Sequence, residues 1–262
     1  MDIQFEKSTF SKRLKSMLKV DFKRMFTMPL VYVMAGVCLA LPILILVMTT
    51  LMGGEADPAT STEAMQGFTN VWQSIGSISG SPMSMDLTSM CNINMLYFLV
   101  AIFVCVFVSE DFRSGYVKNL FTVRAQKTDY VFSKTLVTFV GAAVMFVMYF
   151  IGAMIGGSIA GLPFAMEGFN VGGLTACMFS KIFVILIFVS IALVLSVAGK
   201  QKLWISILCS FAAGMLLFTM IPLIAPLDST FLNVVLTLAG GGLFAVGLGA
   251  LSNLILNKTN LV

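Results

Sequence analysis

Chemistry needs ionisable or nucleophilic side chains at set spacings, and this chain offers few. Its 262 residues include 16 Lys and Arg, 12 Asp and Glu, five Cys and no His. Without His there is no imidazole to ligate a metal or act as the commonest general base. The cysteines, Cys38, Cys91, Cys105, Cys177 and Cys209, lack metal-ligand spacing. They read as free thiols packed as small apolar residues; Cys91 and Cys177 both fall near outer helix ends, which leaves a bridge between those two as the open alternative. No Gly-x-x-x-x-Gly-Lys-Ser/Thr loop is present to cradle a nucleotide, and no carboxylate pair or Ser/His/Asp set for catalysis. The expectation is a protein that is not an enzyme, with no catalytic, cofactor-binding or metal site, whose energy for any work comes from elsewhere.

The charges are instead sorted along the chain. Basic residues cluster at Lys7, Lys12, Arg13, Lys15, Lys19, Lys23 and Arg24, then at Arg113, Lys118, Arg124, Lys127 and Lys134, then at Lys200 and Lys202, and finally at Lys258. Alternate loops carry Glu55, Asp57, Glu63, Asp86, Glu167 and Asp228 without a basic neighbour. Basic flanks stay on the cytosolic side of a bilayer, so both termini and the first two basic connections are expected in the cytosol. Only Lys181 breaks the pattern. It lies within two turns of the outer end of its span, and snorkelling to the interface is the favoured reading over a buried cation that meets an anionic cargo.

These charges have little to hold apart except apolar helices. With 58% hydrophobic and 11% charged residues and a mean hydropathy of +0.99, the chain cannot cover a soluble domain, which carries about 25% charged residues. The expected fold is an all-α membrane protein of one domain, residues 1–262. It comprises an N-terminal amphipathic segment (1–28), a six-helix membrane core (29–257), an external loop (54–90) and a cytosolic segment (110–134). The spans are read as Pro29–Gly53, Cys91–Ser109, Thr135–Ala160, Leu174–Ala198, Leu203–Ala225 and Phe231–Asn257, each sufficient for a hydrocarbon core of about 30 Å. The first apolar run is too long for a cleaved signal peptide.

From Ser8 to Met28, Phe10, Leu14, Met17, Leu18 and Met25 share one helical arc, with Lys12, Arg13, Lys19, Lys23 and Arg24 opposite. This predicts a helix on the inner membrane surface, its cations among headgroups. Asp21 falls within the apolar arc, so either the helix breaks there or the carboxylate pairs with Lys23 or Arg24. In the external loop, Thr62–Ile75 is read as a short surface helix presenting Met65, Phe68, Val71 and Trp72; a lid and a flexible loop are both open readings. Small residues at helix-packing intervals, Gly152 with Gly156, Ala153 with Gly157 and Ala245 with Gly249, predict close seams within the subunit or across a dimer. Pro222 and Pro226 should bend or end the fifth span.

The cytosolic stretch after the second span turns at Gly115, then places Tyr116, Leu120 and Phe121 at helical spacing beside Lys118 and Arg124. Aromatics ringed by cations are the composition of a protein interface, although any cytosolic loop is basic. The second connection, Gly199 to Lys202, is a tight turn. The spans so drawn contain no acidic residue, so a gradient-driven mechanism lacks its mid-membrane titrating group.

The lead-in Leu18-Lys-Val-Asp-Phe-Lys-Arg-Met-Phe before six spans resembles the membrane subunits of type 2 ABC exporters. So does Ser109-Glu-Asp-Phe-Arg-Ser-Gly-Tyr-Val-Lys-Asn-Leu, followed by Arg124 and Lys134. The likeness is one of layout over the whole chain, with loose local motifs. It implies an exporter permease whose ATP and Mg are held by a separate ATPase subunit in two copies, paired with a second permease, normally as a homodimer, in a bacterial cell membrane, with no nucleic-acid partner. The ATPase-coupling residues it implies are Glu110, Asp111, Arg113, Gly115, Lys118, Leu120, Phe121 and Arg124, with Lys200, Gln201 and Lys202 as a second contact. Compact relatives of this kind include lantibiotic-immunity, bacitracin-resistance and phenol-soluble-modulin exporters, so the implied cargo is an amphipathic or antimicrobial peptide or another hydrophobic compound. The short connection between spans five and six departs from larger relatives, whose external helices would be reduced here.

Overall fold

The structure, a computed structural model, describes residues 10–53, 68–77, 91–123, 126–165, 170–218 and 220–258. Among these residues it is helical throughout, with no strand. The elements are α1 (Phe10–Thr27), α2 (Pro29–Gly53), α3 (Leu96–Arg113), α4 (Tyr116–Val123), α5 (Lys127–Ala160), α6 (Val171–Gly199), α7 (Leu203–Phe218), α8 (Ile221–Ile224) and α9 (Phe231–Lys258). Five of them, α2, α3, α5, α6 and α9, are long and apolar enough to cross a membrane.

The fifth span of the sequence reading is shorter than expected. It stops at Phe218 rather than Ala225, and its 16 residues make a helix of about 24 Å, less than a hydrocarbon core of about 30 Å. After the break, Pro222 sits in the first turn of α8 and the chain leaves helix before Pro226. In the segment after α2, expected to be an external loop, the described part is not a surface helix. Val71–Ser74 forms one tight 3-10 turn, and Phe68, Val71, Trp72 and Ile75 point inward and are buried. Met65 lies outside the described residues.

Close packing of α2 on α5 depends on glycine. A Cβ on Gly152 would sit 2.2 Å from the Leu39 carbonyl oxygen, and one on Gly156 would sit 2.8 Å from Ile43 Cα. This seam therefore lies within the subunit, as does Gly157, whose missing side chain leaves room for Val71. In lipid, where apolar burial brings no solvent gain, such contact is what holds helices together. Gly241 similarly lets α9 approach the Phe183 carbonyl of α6, whereas Gly240, Gly242 and Gly247 face open space.

α5 is the axis of the molecule. Its 34 residues extend about 51 Å, roughly 20 Å more than a hydrocarbon core requires. α1 runs along its first third in the same direction. Arg13 reaches Asp129, Asp21 meets Ser133 and Lys134, and Met25 fills the space left by Gly141. α1 is thus unbroken at Asp21, and that carboxylate pairs across to α5 rather than with Lys23 or Arg24.

Candidate functional site

The bundle has two chemically distinct ends. At one end gather the start of α5, the ends of α3, α6 and α9, and all of α1 and α4; Lys127 of α5 donates to the Leu256 carbonyl of α9 at 2.6 Å. At its centre is a chain of alternating charges. Lys134 Nζ lies 2.9 Å from Asp21 Oδ1 and 2.8 Å from Asp111 Oδ2, and Arg24 reaches Asp111 Oδ1 at 2.7 Å. Ser133 donates to Asp21 at 2.6 Å and Tyr130 to Asp111 at 2.9 Å. Lys134, Asp21 and Asp111 are fully buried. Phe107 packs beneath the ammonium and Tyr116 beneath the Arg24 guanidinium.

Burial opposes the Arg24 charge, yet contact with Asp111 more than offsets it and holds the guanidinium above its ordinary range. Burial, reinforced by the Asp21 and Asp111 charges against the opposing pull of Arg24, pushes the Tyr116 phenol upward. Two acids and two bases make the cluster neutral as a unit, and each remaining acceptor has a donor. Such a network contributes little net stability but fixes relative geometry, because any other arrangement strands a buried charge. It joins α1, α3, α4 and α5 into one body. A second clasp, Arg13 to Asp129 at 2.9 Å with Gln126 also accepting from Arg13, ties the start of α1 to the start of α5.

Outside this body lies a cleft of about 450 Å³ whose walls are Phe112, Arg113, Gly115, Val117 and Lys118 on one side and Gly199 to Lys202 on the other. The two basic connections, more than eighty positions apart in sequence, thus form one surface with Arg113, Lys118, Lys200 and Lys202 exposed. Gly115 turns at φ +74°, as the tight α3–α4 reversal requires. Lys200 adopts φ 53° and ψ −109° at the end of α6, a conformation that side chains disfavour, so the short α6–α7 turn is strained.

The expected coupling residues divide accordingly. Arg113, Gly115, Lys118, Lys200, Gln201 and Lys202 line the cleft, and Glu110 lies half-buried beside it. Asp111 does not face a partner; it is committed to Lys134 and Arg24. Leu120 and Phe121 turn back onto the molecule's own core, with Phe121 edge-on to Tyr130. Arg124 lies outside the described residues. On α1, Lys12, Lys19 and Lys23 are exposed as expected and Phe10 remains outward. Met17 and Met25 are buried in the core, with Leu18 packed against it and Leu14 half-buried. Arg13 and Arg24, expected among headgroups, instead reach inward to carboxylates. The periodicity of α1 was legible, but its partners lie more than a hundred residues away, beyond any local pattern. The signal that could have found the cluster was Asp21 itself, spaced one turn from Met17 and from Met25.

At the opposite end, Lys181 corrects the snorkelling expectation. α6 begins at Val171, so Lys181 is about 15 Å along it, and it has no exposed surface. Its Nζ donates to Asn94 Oδ1 at 2.7 Å, and its carbonyl accepts from the Tyr97 hydroxyl at 3.0 Å. All five cysteines are free; Cys177 directs its thiol to the Ala225 carbonyl. Among the described residues, no group of His, Cys, Asp and Glu is arranged to hold a metal. Comparison with protein-family models, with curated proteins and with solved structures finds no match.

Proposed function

We propose that the chain is the membrane permease subunit of an ATP-driven exporter of the type 2 ABC kind, working with a separate ATPase and a second copy of itself. The observation that carries this reading is the cleft formed by the two cytosolic connections. A motor outside the membrane must push at a place that is accessible, cationic and rigidly joined to the spans, and the cleft adjoins the buried Asp21–Lys134–Asp111–Arg24 cluster. In this reading α7 with α8 forms a broken sixth crossing, both termini are cytosolic, and the membrane is that of a bacterial cell. Amphipathic or toxin-like peptides and other hydrophobic compounds are the proposed cargo.

The test is co-purification with a candidate ABC ATPase. Reversing Arg113, Lys118, Lys200 and Lys202 to Glu should abolish the complex while leaving the bundle folded; an unchanged complex overturns the docking surface. Phe121→Ala, by contrast, should lower stability more than docking, because that ring packs on Tyr130.

One observation favours a second reading, a carrier driven by an ion gradient. Buried charged side chains inside a helical bundle are default candidates for an ion pathway, and Asp21, Asp111 and Lys134 form such a group. They lie at the basic end rather than mid-bundle, and each carboxylate is already compensated by a cation. Solute movement by the purified chain in nucleotide-free liposomes, lost in Lys134→Met, would establish that reading instead.

A further inference from the structure

Lys181 is a second buried cation, and unlike Lys134 it has no carboxylate within ion-pairing distance among the described residues. An ammonium has three donors, and the structure uses one of them, toward Asn94 Oδ1. The adjacent Ser180 is also buried, with its hydroxyl lacking a partner. Burying an ammonium without a counter-charge carries a large solvation cost, and an ionisable side chain inside an apolar helix marks a candidate site for an oppositely charged group.

The surroundings indicate its form. Gly76 lies directly over the lysine: a Cβ there would be 3.7 Å from Lys181 Cε and 3.9 Å from Cys177 Sγ. The turn that carries Gly76 is fastened by bonds to main-chain groups, from Trp72 Nε1 to the Phe164 carbonyl at 2.6 Å, from Asn70 to the Ala165 carbonyl at 2.8 Å, and from the Leu227 amide to the Ser77 carbonyl at 2.7 Å. Around it, Trp72, Ile75, Leu174 and Leu227 form a separate apolar cluster flanked by Met154 and Met178. Among the described residues, Lys181 is the cation beneath this apolar cover, an arrangement that matches a molecule with one anionic head and an apolar body better than a polyanion or a neutral solute.

We propose that Lys181, with Asn94, receives the carboxylate head of an amphiphile, which enters from the end opposite the basic cleft by displacing the Phe68–Ser77 turn. This deepens the transport reading and rests on it for its purpose. It is nevertheless measured by binding alone, at the far end from the docking surface, so loss of ATPase docking would leave it standing and its failure would leave docking standing.

The chain has two tryptophans, and Trp204→Phe leaves Trp72, in the cover, as the only reporter. The full-length protein in nanodiscs of zwitterionic lipid is titrated with octanoate, octanamide, acetate and chloride while Trp72 fluorescence is followed. Octanoate should bind about tenfold or more tighter than octanamide, a charge-assisted preference, and far tighter than acetate or chloride. Lys181→Met should bring octanoate down to the octanamide level, and Lys181→Arg should keep the preference. Equal binding of octanoate and octanamide by the wild-type lysine, or a preference that survives Lys181→Met, overturns the proposal. Acetate or chloride binding as tightly as octanoate overturns the amphiphile. If Lys181→Met does not fold, the octanoate and octanamide comparison on the unaltered lysine decides by itself.

Discussion

The two buried lysines obey one electrostatic rule with opposite outcomes. Lys134 sits between Asp21 and Asp111 and is neutralised in place, whereas Lys181 has an amide and no carboxylate among the described residues. For Lys134 the rule predicts asymmetry between breaking and removing the network. Asp111→Asn leaves Lys134 and Arg24 with only the Asp21 carboxylate between them, an unbalanced buried charge, and should cost about 3–5 kcal/mol, read as a large fall in the thermal unfolding midpoint of the solubilised protein. Lys134→Met combined with Asp21→Leu removes one charge of each sign, keeps Arg24 with Asp111, and should leave the midpoint close to that of the unaltered protein. A silent Asp111→Asn would mean that the cluster is hydrated and not the closed unit described. The individual residues were visible in the sequence, and Asp21 stood out as polar within an apolar arc. Its partner was not visible, because helical periodicity reports a face and not what covers it.

Among the elements, α5 ties separate parts of the molecule together: it binds α1 through charges at its first third, α2 through glycines at its last, and the Val71 turn through Gly157. The glycine seam makes a sharp prediction. Gly152→Leu drives a side chain into the Leu39 backbone, which cannot yield without parting the helices; overpacking costs typically about 1–3 kcal/mol and more where backbone is in the way. Gly242→Leu, which meets nothing within 4 Å, should be neutral in the same unfolding measurement. Both glycines lie in equally apolar helices, so sequence spacing marked Gly152 with Gly156 as a seam but left its partner helix open. The length of α7 was misread for a related reason: hydropathy continues through Ala225, while the helix itself stops at Phe218 because the prolines that follow favour a separate turn.

For the whole molecule, polarity of ends is the organising feature. One end is a rigid, charge-clamped body that opens onto a basic cleft, and the other is a hydrogen-bonded turn over the buried Lys181. The apolar helices, their approximate positions and the charge bias of the connections were legible from composition, since the bilayer as solvent dictates them. The convergence of the two basic connections and the inward face of the Val71 turn were not, because both are tertiary contacts between distant segments. Under the proposed function, motion is imposed on this bundle from the cleft by a nucleotide-hydrolysing partner. The most direct test is flux of a fluorescent amphipathic peptide across proteoliposomes containing the purified chain, with and without its ATPase and ATP. Transport is expected only when ATPase and ATP are both present, and should be lost on reversing Arg113, Lys118, Lys200 and Lys202 to Glu. Equal transport by the chain alone would contradict the proposed function.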